Sequence, residues 1–403
     1  MKLKKKVQLI DQCDKHGMYG GKFGGNYCAE TMRKPIEDLS KLFEKLRKSK
    51  KFLKKRDHYF KHYLGGETPF FKLKNLTKHL GGAQIWCKDV SAINGDAHKA
   101  YHATVNALIC KESGKKFIAG DTGAGMFGKN LALAAKEMKL SAKIFMGTKD
   151  MARQAPNVKF MRDAGAEVVP VNSGSKTLVD AVSECMRHYV SNCDTTHLAV
   201  GSAIGCNIFL KICAWSTSQI SRELKKQLIK EFGEIPRLKL INVIGGGSSA
   251  LGFWNEFIDY DKKHVELIGV EAKYAAPLST NAKVAILHGA AQYCLTDKEG
   301  QIAETHSLSA GLDYPGSSPL HGLLKDTRRA RYTNASDKEA LSAFKLITKL
   351  EDIRPSLEPA HAWSECIRLA PKLKKSDVIV INNCGKGYKD KKIYIKELGY
   401  YPK

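Results

Sequence analysis

Three short stretches of this chain carry the residues best suited to chemistry. In NGDAHKAY, residues 94–101, Lys99 follows His98 and a glycine-containing turn at the mouth of a helix. A lysine in such a place is ordinarily a solvated charge, but held in a desolvated site its amine becomes a base and a nucleophile toward carbonyl carbon. In GDTGAGMFGKN, residues 120–130, a glycine loop joins a strand to a helix, with Asp121 at the strand end. In GGGSS, residues 245–249, a second glycine loop joins another strand to another helix. Exposed backbone N–H groups at a helix N-terminus bind anions, and glycine lets the backbone come close. Two anion cradles and a lysine at one end of a sheet suit a ligand with two anionic ends, such as an amino acid joined to a phosphorylated cofactor.

The 120–130 loop also fits two nucleotide motifs. Gly123, Gly125 and Gly128 match the dinucleotide fingerprint, and Gly123 to Lys129 matches a P-loop. A P-loop needs Ser or Thr next to hold magnesium, and this chain has Asn130. A dinucleotide fold wants an acid ending a strand, whereas Asp150 follows a lysine and heads a helix. Each motif alone is weak.

The elements around these loops alternate. Short β-branched or apolar runs at 84–87, 116–119, 143–146, 168–171 and 197–200 predict strands, separated by helices near 99–112, 127–139, 153–164 and 175–191. Pro35 opens an amphipathic helix with Ile36, Leu39, Leu42, Phe43 and Leu46 on one stripe. A Lys-rich helix over 208–232 leads to Pro236, which marks a lobe boundary. Beyond it come strand 238–244, the GGGSS loop, a helix to about 258 and strand 265–270. Residues 272–335 read as long irregular loops, followed by helices 337–350 and 359–372 and the strand 378–381. The expected fold class is α/β, with two lobes, each a mainly parallel sheet flanked by helices, and the site between them.

Composition is that of an ordinary globular chain: 403 residues, 43% hydrophobic and 8% aromatic. The eleven cysteines are odd in number and scattered without zinc spacing, which predicts reduced thiols, a cytoplasmic protein and no metal site. No apolar run reaches the roughly 18 residues a membrane span needs, and the basic N-terminus lacks a signal-length apolar core. The formal charge of +25 is spread along the whole chain with no nucleic-acid motif, so the expectation is a solvated surface that attracts anionic substrates, with no specific nucleic acid and no membrane partner.

At this point a resemblance applies. FGGNY at 23–27, AHK at 97–99, TGAG at 122–125, MGTKDMARQAPNV at 146–158, GAEVVPVNSGS at 165–175, GGGS at 245–248, LIGVE at 267–271, SAGLDYP at 309–315 and SLEPAHA at 356–362 run collinear with the tryptophan synthase β family. That family lies within the fold-type II pyridoxal-phosphate (PLP) enzymes, and the match extends from about residue 23 to 390. It implies that Lys99 forms a Schiff base with PLP, and that His98 with the amides of Gly245, Gly246, Gly247, Ser248 and Ser249 holds the cofactor phosphate. It implies further that Thr122, Gly123, Ala124, Gly125, Met126 and Phe127 hold the substrate carboxylate. Glu358 then lies near the phenolic oxygen and Cys384 faces the pyridine nitrogen. Arg153 and Asp313 correspond to an ion pair that closes a mobile communication segment, about 114–201. The lobes implied are 1–60 with 98–216, and 61–97 with 217–403.

The resemblance implies β-replacement, L-serine plus indole giving L-tryptophan and water, with Lys99 as base and Asp121 assisting the leaving hydroxide. The alternatives are a divergent PLP-dependent amino-acid lyase or deaminase, replacement by another nucleophile, or a non-catalytic relative. Several departures keep these open: Asp121 stands for the family's Glu, Met126-Phe127 for Gln-His, Ser249 for Asn, and GKGY at 385–388 for GRGD. Backbone binding with drifting side chains, a changed substrate, and lost activity each account for them. The family pairs as a two-fold homodimer, and its lysine facing the α subunit is Val179 here, with Lys176 one helical turn earlier on the same face. A homodimer with weakened α-subunit coupling is therefore expected.

Overall fold

The alternation of short apolar runs with helices becomes two parallel sheets in the computed structural model, which describes residue 3 and residues 6–402. One sheet has four strands in the order Glu167–Val171, Ser141–Gly147, Phe117–Asp121, Thr196–Ala199, all parallel. The other has six, in the order Ala330–Ala335, Val265–Ala272, Leu238–Val243, Val378–Asn382, Gln84–Lys88, Phe70–Lys72, with only the last antiparallel to its neighbour. Central strands such as Val378–Asn382 are buried along their whole length, as parallel strands covered on both faces must be. The helix Lys99–Glu112 is buried from Ala100 to Cys110, which fits its lack of a one-sided apolar stripe.

Every site-bearing loop leaves a strand at its carboxyl end. Asp121 ends Phe117–Asp121, the 245–249 loop follows Leu238–Val243, Cys384 follows Val378–Asn382, and the turn to Lys99 follows Gln84–Lys88. Open α/β sheets collect ligand sites there.

Five sequence expectations are corrected. Residues 272–335 are not all loop. They contain the hairpin Lys283–Leu287 and Ala290–Cys294, the helix Pro319–Asp326 and the edge strand Ala330–Ala335. The hairpin joins Met18–Tyr19 and Phe23–Gly24 in a separate four-stranded antiparallel sheet. The helix at 208–232 is two, Asn207–Thr217 and Gln219–Phe232. Ser216, Thr217 and Ser218 each bond back to a carbonyl of the preceding turn, and such bonds bend helices. The helix at 153–164 breaks at Gln154 because Pro156 cannot continue the earlier turn. The first long helix starts at Glu30, with Pro35 inside it. Lys176 lies ahead of the helix Leu178–Asn192 with φ +60°, so it shares no helical face with Val179.

All eleven cysteines are free thiols. No helix among the described residues is long and apolar enough to cross a membrane.

Candidate active site

Lys99 is the first residue of its helix, and its amine reaches into a cleft with a cavity volume of ≈ 110 Å³. The cleft is walled by the 121–127 and 245–249 loops, Gly311, Glu358, Cys384 and Lys389. Lys99 Nζ donates to the carbonyl of Gly201 and, at 3.2 Å, to Ser248 Oγ. Its side chain touches the cleft interior while protein surrounds it, and this desolvation lowers its pKa. A lysine so placed spends more of its time as the free amine that nucleophilic and base chemistry need.

His98 is neutral for the same reason. Burial, then the neighbouring Lys99 ammonium, push its pKa down to about 3. Its Nδ1 lies 3.4 Å from the carbonyl of Cys384, which only accepts, so Nε2 accepts from Ser248 Oγ at 2.9 Å. Asp121 shows the opposite shift. Burial raises its carboxyl to about 6, although its Oδ1 accepts from the N–H of Gly201 at 2.9 Å. At neutral pH this carboxylate sits near its titration point, where an acid-base residue is most useful.

The glycines at 245–247 have no room for side chains. A Cβ on Gly246 would stand 2.4 Å from Ser202 Oγ, and one on Gly247 2.1 Å from His321 Cδ2, with Gly247 held at φ +86°. His321 Nε2 donates to the Gly247 carbonyl at 3.0 Å, fixing the loop from behind. Asn242 and Asn382 each donate to Ser249 Oγ at 3.1 Å. The loop thus turns bare N–H groups toward the cleft, at the opening of the helix Ser248–Trp254. Gly125, at φ +82°, plays the same conformational part before the helix Met126–Glu137.

A family model described as pyridoxal-phosphate dependent enzyme matches residues 62–385. The chain belongs to that family. Its fold also resembles diaminopropionate ammonia lyase from Escherichia coli, at 18% identity over 95% of both chains with a TM-score of 0.66. A fungal L-serine ammonia-lyase from Rhizomucor miehei matches at 16% identity over 82% of this chain and 98% of its own, with a TM-score of 0.64. These likenesses show the fold.

The residues present fit PLP. A half-buried, deprotonation-prone lysine faces a glycine loop on which a Cβ would collide with Ser202 or His321, and a neutral histidine stands beside it. The loop 245–249 with His98 and Ser248 could hold the phosphate. Cys384 is buried beside Ser249, and burial lifts its thiol to about 12. A thiol that stays protonated is a weak donor and would leave a pyridine nitrogen beside it largely uncharged.

Of the residues picked out in the sequence, Lys99, Asp121, Thr122, Gly123, Ala124, Met126, Phe127, His98, 245–249, Glu358 and Cys384 line the cleft. Gly125 shapes the loop from behind, where its Cα faces Asn157. Arg153 and Asp313 stand outside the lining and pair with each other at 3.3 Å, Arg153 also contacting Asp150.

Sequence reasoning missed two residues. Lys389 is buried, lines the cleft, and lies 2.9 Å from both Glu358 and Asp390. Burial alone would raise the Glu358 carboxyl, but Lys389 outweighs it and holds Glu358 at about 2. The adjacent Lys389-Asp390 pair, five residues past Cys384, was the available signal. The second is Gly201, whose backbone serves both Lys99 and Asp121. Nothing in its sequence context marks it.

Proposed function

We propose that this chain is a PLP-dependent lyase that removes the β-substituent of a small L-amino acid such as serine, releasing ammonia and a 2-keto acid. The observation that carries this reading is the placement of Asp121. Its carboxyl is tied to Gly201 N–H at 2.9 Å, on the same residue that accepts from Lys99, with a pKa of about 6. An acid that titrates close to neutral pH beside a low-pKa amine suits elimination: the amine takes the Cα proton while the acid, in its protonated form, protonates the leaving group.

Bound in this cleft, PLP would withdraw electrons from the Cα of an amino acid joined to it and so acidify the Cα proton. Lys99 then accepts that proton. The Cβ–O bond of serine breaks, and hydroxide leaves as water with a proton from Asp121. The carboxylate of the amino acid is held by the amides of the 122–127 loop, and the neutral Cys384 thiol favours elimination over reactions that need a protonated ring. Hydrolysis of the released enamine, through its imine, returns the water and gives pyruvate and ammonia. The resemblance in fold to two ammonia lyases agrees with this reading.

A second reading, addition of indole after the same elimination as in tryptophan synthase β, is favoured by the apolar wall of Met126, Phe127, Leu178, Ile204 and Tyr314. We propose a homodimer in either case, with α-subunit coupling weakened because Lys176 does not share the helix of Val179.

The purified protein with PLP is given L-serine or L-2,3-diaminopropionate, and ammonia and pyruvate are measured, with and without indole. Ammonia and pyruvate from at least one amino acid support the lyase reading. Tryptophan formation without ammonia release supports the second, and turnover of neither contradicts both.

A further inference from the structure

The lysine that gave the 123–129 stretch its P-loop appearance has no phosphate role in this fold. Lys129 closes the first turn of the helix Met126–Glu137, is 4% exposed, and does not line the cleft. Its Nζ reaches Asp96 Oδ2 at 2.8 Å and Tyr388 Oη at 2.6 Å. Asp96 also receives Lys386 Nζ at 2.8 Å on its other oxygen and the Tyr388 hydroxyl at 2.9 Å. Next to Lys129, Asn130 Nδ2 donates to the Gly95 carbonyl at 3.1 Å. A Cβ on Gly95 would overlap Asn130 Oδ1, and Gly95 and Asp96 both adopt left-handed φ, +97° and +63°. A non-glycine residue keeps that conformation only where its surroundings hold it.

Three chain segments meet at this cluster, and each delivers part of the site within a few residues. The 94–97 loop runs straight into His98 and Lys99. The helix Met126–Glu137 begins at the carboxylate cradle. The 385–388 segment lies between Cys384 and Lys389 and is bonded to the 94–97 loop by Lys386 N–H to the Asp96 carbonyl at 3.1 Å.

We propose that Lys129 is a positioning residue: by clamping Asp96 and Tyr388 it fixes the separation between the substrate-carboxylate cradle and Lys99. The inference rests on the PLP site described above and deepens its mechanism. A substrate held by its carboxylate presents Cα to the Lys99 amine only if the 122–127 loop and the start of the Lys99 helix keep one spacing. A shift of about 1 Å in such an arrangement costs on the order of a hundredfold in rate. Asp96 meets two lysines and a phenol there, so removing one cation leaves the carboxylate partnered and the local fold able to form.

The test uses the holoenzyme and three variants, Lys129→Met, Lys129→Arg and Asp96→Asn. Four quantities are read: the cofactor absorption band, the dissociation constant of L-serine from the spectral change it causes, ammonia release, and melting temperature. Lys129→Met is expected to keep the wild-type cofactor band and to lower kcat/KM for serine by on the order of a hundredfold, with weaker serine binding. Lys129→Arg is expected to recover most of the loss, because it keeps a cation within reach of Asp96. Should Lys129→Met not fold, Asp96→Asn carries the same expectation. A folded Lys129→Met or Asp96→Asn with wild-type serine affinity and turnover overturns the proposal. So does a lowered melting temperature with unchanged serine affinity, which is the signature of a merely structural contact. A wild-type band and serine response without ammonia release would defeat the lyase reading alone, since serine affinity still judges the clamp. No cofactor band in the wild type would overturn both.

Discussion

Lys99 and Asp121 are joined through a single residue. The Lys99 amine donates to the Gly201 carbonyl, and the Gly201 N–H donates to Asp121 Oδ1 at 2.9 Å. Base and acid therefore move together. A Cβ at position 201 would stand 2.7 Å from Asp121 Oδ2, so Gly201→Ala must push the carboxyl from its place. The expected result is a fall in kcat for serine elimination on the order of a hundredfold with the cofactor still attached, measured by ammonia release and absorbance on the same sample. Unchanged turnover would mean that Asp121 needs no fixed position.

Asp121→Asn separates activity from stability. Burial raises the folded carboxyl to about 6 from its ordinary 3.8, so the folded state holds the proton more tightly than the unfolded chain. Stability is then lost as pH rises from about 4 to 6, with a penalty above pH 6 of at most about 3 kcal/mol. An amide carries no such charge and still accepts from Gly201. The variant is expected to melt higher than wild type at pH 8, to match it near pH 4, and to lose turnover by about 10²–10⁴-fold. Equal melting temperatures across this range would contradict the strained-carboxyl account.

Gly247→Ala tests the cradle. A left-handed backbone costs a side-chain-bearing residue about 1–2 kcal/mol, and the new methyl would meet His321 at 2.1 Å from Cδ2. Relief by moving the loop turns its N–H groups away from the cleft. PLP affinity, followed by absorbance titration, should fall at least tenfold, and an unchanged affinity would remove this loop as the phosphate site.

The pair Arg153–Asp313 makes a different prediction. Asp313 is held by Thr305 Oγ1 at 2.8 Å and by Arg153 at 3.3 Å, outside the cleft lining. If this contact closes the site, Asp313→Asn should raise KM for the amino acid on the order of tenfold, the equivalent of one charge-assisted bond worth about 1.5 kcal/mol. PLP affinity should stay near wild type. A loss of PLP binding instead would place the pair in cofactor retention.

Much of this architecture was legible because most buried parallel strands are short apolar runs and most loops at their carboxyl ends carry glycine. The hairpin Lys283–Cys294 was not, because its turn is His288-Gly289 at φ +51° and +87°. These values suit a two-residue hairpin turn, but histidine is no turn signal, and the Gly, Pro and Ser that follow read as loop. The edge strand Ala330–Ala335 was missed because its sequence, ARYTNA, is polar and pairs on one side only. In the site, contiguous motifs such as AHK and GGGSS stood out. Gly201 and Lys389 did not, since their partners lie 102 and 31 residues away and only the folded chain brings them together.

The most direct test of the central claim is chemical. The protein purified with PLP is reduced with borohydride, digested and mapped for the pyridoxyl group. The account predicts the label on Lys99, with the cofactor band and serine response lost in Lys99→Ala. A label on another lysine, or a Lys99→Ala protein that keeps the band and still releases ammonia from serine, would contradict it.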